Sequence, residues 1–128
     1  MRLALAIAVT VLAAGCATRP PPPPPPGLLD LMDRPAERAL LEGMRAYDDG
    51  QYGAAEAALR KALEAGLANP RDQASAYKLV AFITCTSQRI PQCEAAFRAA
   101  RAAWPAFALS RSEAGHPLWG PVYQRTLP

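Results

Sequence analysis

The chain has little of what most active sites are built from. Histidine occurs once, at His116, in 128 residues. One imidazole is not a metal-ligand set, and although Ser112 and Glu113 lie near it in sequence, no nucleophile–base pair is evident. No glycine-rich phosphate loop occurs either. The expectation is a protein that is not an enzyme and carries no cofactor and no metal. Charge of one sign is also lacking. The net charge is +3, but the arginines are scattered among acids, so no nucleic-acid patch forms. No stretch shows the alternation of a half-buried strand. The apolar run from Leu3 to Ala14 is too short to span a bilayer as a helix.

That run, preceded by Arg2, has the length of a signal-peptide core, and residues 1–15 are assigned to it. It ends in Leu12-Ala13-Ala14-Gly15-Cys16, which resembles the bacterial lipobox. The resemblance implies cleavage before Cys16 and acylation of its thiol by palmitate. Ala17, where an aspartate would retain the protein at the inner membrane, implies anchoring in the outer membrane, facing the periplasm. Export argues further against nucleic acid. Cysteine is scarce and odd in number, three in all. With Cys16 lipidated, Cys85 and Cys93 remain as a pair in an oxidising compartment. Catalytic dithiols usually have two intervening residues rather than the seven found here, so a structural disulfide is expected.

Proline is abundant, and half of it is Pro20 to Pro26. An unbroken run forms polyproline II at about 3.1 Å per residue, a stiff spacer of roughly 20 Å. Residues 16–27 are therefore read as lipidated cysteine plus spacer. After the apolar patch Leu28 to Met32, Asp33-Arg34-Pro35-Ala36-Glu37 signals a helix start. That helix runs through Leu40, Leu41, Met44 and Tyr47 to Asp48-Asp49-Gly50. A second runs from about Gln51 to Gly66. Asn69-Pro70-Arg71-Asp72 opens a third, with Asn69 as cap and Pro70 in the first turn. Its apolar face is Tyr77, Val80, Ala81, Thr84 and Cys85. After the turn Ser87-Gln88-Arg89, a fourth presents Cys93, Ala96, Phe97, Ala100 and Trp104. The chain reads as all-α.

The two hairpins align at a spacing of 38 residues: Gly43 on Ala81, Tyr47 on Cys85, Tyr52 on Ile90, Ala55 on Cys93, Leu59 on Phe97 and Ala62 on Ala100. The pattern Gly43…Gly50-Gln-Tyr52-x-x-Ala55-x-x-x-Leu59-x-x-Ala62, with its second copy ending at Pro105, resembles a tetratricopeptide repeat (TPR). That repeat is about 34 residues long, and the extra residues fit the loop Glu64 to Asn69. The resemblance implies two TPR-like hairpins over 28–106. It also implies a concave binding face from the first helix of each hairpin, made by Met44, Tyr47, Lys78 and Phe82. Two repeats are few for a stable array, and two remedies are expected. A Cys85–Cys93 disulfide would fasten the second hairpin, and residues 107–128 would cap it. In that segment Leu118, Trp119, Val122 and Tyr123 are too apolar for a free terminus. His116 reads as a turn residue of the cap, or with Trp119 as part of a binding surface.

Lipobox, proline spacer, repeats, Thr84-Cys85…Gln92-Cys93-Glu94-Ala95-Ala96-Phe97-Arg98 and Glu113-Ala-Gly-His-Pro-Leu-Trp-Gly-Pro-Val-Tyr123 together resemble the TssQ-type lipoproteins associated with type VI secretion. The resemblance implies a noncatalytic accessory that engages a periplasmic protein, with the membrane complex of the secretion apparatus as the leading candidate. A lipoprotein of cell-wall or outer-membrane assembly with the same fold is the alternative.

Overall fold

A computed structural model describes residues 19–25 and 27–128. The signal-peptide segment and Cys16 lie outside the described residues. The described chain is all-α, in the order α1 (Leu28–Met32), α2 (Pro35–Asp48), α3 (Tyr52–Ala65), α4 (Pro70–Thr86), α5 (Ile90–Ala103), α6 (Arg111–Ala114) and α7 (Gly120–Arg125). Helices α2 and α3 pack as one pair and α4 and α5 as another; α3 and α4 join the pairs, and α7 lies on α5. None of these helices is long and apolar enough to cross a membrane.

Local chemistry accounts for the helix ends. The Asn69 side chain accepts the Arg71 N–H at 2.9 Å, with Pro70 following. Pro35 opens α2, although its cap residue, Arg34, makes no side-chain capping bond. Arg34 instead pairs with Glu37. Gly66 closes α3 with φ +86°, a conformation that costs glycine nothing.

Displaced by 38 residues, α3 falls on α5 from end to end, and α2 and α4 end together. The turns also coincide bond for bond. Asp49, Gly50 and Gln51 donate their backbone N–H groups to Arg45, Tyr47 and Ala46 at 2.9, 3.0 and 2.8 Å. Ser87, Gln88 and Arg89 donate to Ile83, Cys85 and Thr84 at 3.0, 3.1 and 2.8 Å. Each is a Schellman-type closure with one residue in the left-handed region, Gly50 at φ 73° and Gln88 at φ 61°.

Small residues set the helix spacing. Ala55, Ala62, Ala76, Ala81 and Ala100 are fully buried, so backbones approach closely around Leu59, Ile83 and Phe97. Gly43 is required at its crossing, because a Cβ there would sit 2.7 Å from Leu59 Cγ. Thr84, buried among these groups, satisfies its hydroxyl by donating to Val80 O at 2.7 Å. The expected disulfide is present: Cys85 and Cys93 are bonded, with Cα atoms 5.2 Å apart, and both are buried.

One difference between the hairpins is chemical. Ala76, Val80 and Ile83 on α4 are buried, whereas Arg38, Glu42 and Arg45, their counterparts on α2, are exposed. These three charges line an open cleft of about 450 Å³ between α2 and α3. A helix could not dry that face without stranding charge.

In the tail, Val122 and Tyr123 are buried and Trp119 is half-buried, but Leu118 is 44% exposed. The expectation that Leu118 packs inward is therefore corrected. The turn before α7 leaves its side chain pointing outward, while Trp119 takes the inner position.

Candidate functional site

The proposed binding residues lie on α2, α4 and the tail. Lys78 and Phe82 stand one turn apart on α4, so their side chains share a face. Lys78 Nζ donates to Glu113 Oε1 at 2.7 Å and lies 5.8 Å from the Phe82 ring centroid. Phe82 is only 4% exposed. The Trp119 indole covers it, with centroids 4.1 Å apart and planes at 18°. His116 also stacks on Trp119, at 3.4 Å and 3°. Two rings this close on one indole must take its opposite faces. Behind Phe82 the aromatic contacts continue edge-on to Phe97 at 6.2 Å, then to Tyr123 at 5.2 Å and Phe107 at 6.4 Å.

The segment that brings Trp119 there is folded on itself. Ser110 and Glu113 form a capping box: Glu113 N–H donates to Ser110 Oγ, and Ser110 N–H to Glu113 Oε2 at 2.9 Å. Trp119 Nε1–H donates to Glu113 O at 2.8 Å, and Leu118 N–H to His116 Nδ1 at 3.2 Å. The Tyr123 hydroxyl accepts the Leu109 N–H at 3.3 Å. A Cβ at Gly120 would strike the Ala114 carbonyl oxygen, so this turn needs glycine.

Glu113 is thus bonded to Lys78, to Ser110 and, through its carbonyl, to Trp119. Burial pushes its carboxyl up, but the bonds from Lys78 and Ser110 outweigh that and hold it below the usual carboxylate range. Tyr47, on α2, is half-buried against Tyr52 with centroids 5.4 Å apart. Burial raises its hydroxyl pKa, followed by Tyr52, Asp48 and Glu113. Met44 is 40% exposed.

Lys78, Phe82, His116 and Trp119 therefore form one cluster, with Tyr47 within electrostatic reach through Glu113. Met44 remains open to solvent. The sequence reading missed Glu113 as the organiser of this cluster, although the Ser110-x-x-Glu113 spacing signals a capping box. It also missed Glu56. That carboxylate accepts from both terminal nitrogens of Arg89, at 3.0 and 2.6 Å, and from Arg60 at 2.7 Å. Its pKa is lowered first by the Arg89 hydrogen bonds, against some desolvation. At the matching position of α5, Glu94 pairs with Arg98 at 3.2 Å and with Arg125 of α7 at 3.0 Å.

Among the described residues, no group of three His, Cys, Asp or Glu side chains is placed to hold a metal ion. No protein-family model, curated protein or solved structure matches the chain. The internal comparison of one hairpin with the other therefore carries the functional reading.

Proposed function

We propose that this chain is a non-enzymatic, lipid-anchored interaction scaffold facing the periplasm from the outer membrane, built from two TPR-like hairpins and a C-terminal cap. The observation that carries the reading is the duplication itself. The whole of the second helix, the C-terminal end of the first, the turn hydrogen bonds and the left-handed turn residue recur after 38 residues, the signature of a stacked-hairpin array.

The ends of the array fit this reading. At the first, charges replace the buried residues that a preceding hairpin would need. At the second, α7 packs on α5 and, by the 38-residue displacement, falls where a further first helix would end. Arg125 gives Glu94 the contact that Arg89 gives Glu56, and Tyr123 packs on Phe97. Such an array has no chemistry of its own to perform and a ready surface for peptides or helices.

The place of action rests on the lipobox resemblance around Cys16 and on the TssQ-type resemblance of Glu113 to Tyr123. On that basis the partner is a periplasmic part of a type VI secretion apparatus. Affinity recovery of the full chain from crosslinked cell envelopes tests this. Enrichment of secretion-apparatus components is expected; recovery of cell-wall enzymes without them would replace the reading with envelope assembly. Palmitate labelling that vanishes in Cys16→Ser is expected for the anchor, and labelling that persists would contradict it.

A further inference from the structure

Residues 108–119 contain no fully buried side chain, whereas the chain on either side is firmly held. Phe107 is 7% exposed before them, and Val122 and Tyr123 are 4% and 5% exposed after them. The four-residue helix α6 buries nothing. The side chains of this segment meet the body of the protein through the Lys78–Glu113 pair, with both side chains more than a quarter exposed, through Trp119 on Phe82, and through Leu109 and Ala114, partly buried against the core. The Leu109 N–H also bonds to Tyr123. Two backbone bonds, from Gly120 N–H to His116 O and from Tyr123 N–H to Trp119 O at 2.8 Å each, hinge the segment on α7. Its other hydrogen bonds are internal, so it can pivot there without breaking them.

These features describe a strap pinned at both ends and lightly held in the middle. Local opening should cost less than global unfolding, because it gives up the Trp119–Phe82 stack and one solvent-screened ion pair while the packing of α2 to α5 is kept. Lifting it would uncover Lys78 and Phe82 on α4. Met44 is already open on α2, at the position that matches Phe82 after 38 residues.

We propose that the 108–119 strap is an internal ligand of this face, and that the external ligand is an extended peptide whose carboxylate and aromatic side chain take the places of Glu113 and Trp119. The inference rests on the scaffold reading above and specifies its partner. The site dictates the spacing. Lys78 and Phe82 are one helical turn apart, about 5–6 Å between Cβ atoms. Residues i and i+2 of an extended peptide lie on one side about 6.6 Å apart. The ligand therefore carries an acidic residue and an aromatic separated by one residue. Lys78 supplies the charge contact, Phe82 the stacking surface, and Met44 the adjoining apolar contact. Strap displacement lowers the apparent affinity by the fraction of time the strap is closed.

Hydrogen exchange on the full chain reads the strap directly. The Trp119 indole N–H, bonded to Glu113, should exchange at least a hundredfold faster than the α5 amides around Phe97, and Glu113→Gln should accelerate it further. Exchange of that indole only at the rate of the α5 amides would overturn the proposal. Binding is read with a synthetic peptide carrying Glu and Trp separated by one residue as the probe. The Trp119→Ala chain should bind it at least tenfold more tightly than the unaltered chain, and adding Lys78→Glu should remove the gain. Equal binding to both chains, or loss of the α4–α5 fold in Trp119→Ala, would identify the segment as a fixed cap and overturn the proposal. These readouts use no cellular partner. Failure to recover a secretion component would leave them standing and would count against the assigned location alone.

Discussion

Arg89 holds Glu56 with two parallel hydrogen bonds, at 3.0 and 2.6 Å, across 33 residues of sequence. The contact fastens the turn of the second hairpin to the second helix of the first, and thus contributes to the register between the repeats. Glu56→Gln should destabilise the chain by on the order of 1 kcal/mol. The figure is kept low because the Arg89 side chain is more than a third exposed and solvent screens the pair. Chemical denaturation of the two proteins measures it.

The same carboxylates make stability depend on acid. Glu56 and Glu113 both have folded pKa values below the ordinary one. Their stabilisation is present above the unfolded carboxylate pKa of about 4.3 and is lost as pH falls through the lower folded values. Melting temperature should therefore fall from about pH 4 downward. Glu56→Gln should flatten that fall while leaving its midpoint nearly unchanged for Glu113. A titration of melting temperature from pH 7 to 2 checks both.

The Cys85–Cys93 bridge closes a short loop around the second turn. Constraint of the unfolded chain gives it about 2–3 kcal/mol. Replacing both cysteines by serine should cost at least that, because two buried positions also become polar. Calorimetry of the parent protein with and without reductant should show the loss of about 2–3 kcal/mol alone, without the added cost of buried hydroxyls.

Gln88 occupies a left-handed conformation that its counterpart Gly50 adopts without strain. Gln88→Gly should stabilise the chain by about 0.5–1 kcal/mol, and Gly50→Ala should destabilise it by about 1–2 kcal/mol. No atom would lie within 4 Å of a Cβ at Gly50, so the latter cost is one of backbone conformation. Opposite shifts in the denaturation midpoint are the expected result.

Glu42 and Arg45 stand where the second hairpin has Val80 and Ile83. If their charges close the array, Glu42→Val with Arg45→Ile should create an apolar face that a second copy can cover. Sedimentation should show concentration-dependent self-association in the double variant beyond that of the parent chain.

Local sequence signals made most of the fold legible. Asn69-Pro70 announces α4, and Gly50 and Gly66 announce the ends of α2 and α3, because caps and left-handed residues act within a few positions. The repeat was legible because the small and large apolar residues recur at one spacing. The site was less so. Phe82 reads from sequence as an open member of a concave face and Trp119 as part of a separate cap. Nothing local links them, because ring stacking between residues 37 apart depends on the path of the whole tail. The Glu56–Arg89 pair escapes sequence reading for the same reason. Glu113 was within reach through Ser110, but its second bond, to Lys78, was not.

Site-specific photocrosslinking in intact cells tests the scaffold most directly. A crosslinker replacing Met44 on the open part of the face should capture a discrete envelope protein belonging to a secretion apparatus. The same group replacing Lys61, an exposed residue of α3, should capture none. No adduct from Met44, or the same adducts from both positions, would contradict a binding face on the first helices of the hairpins.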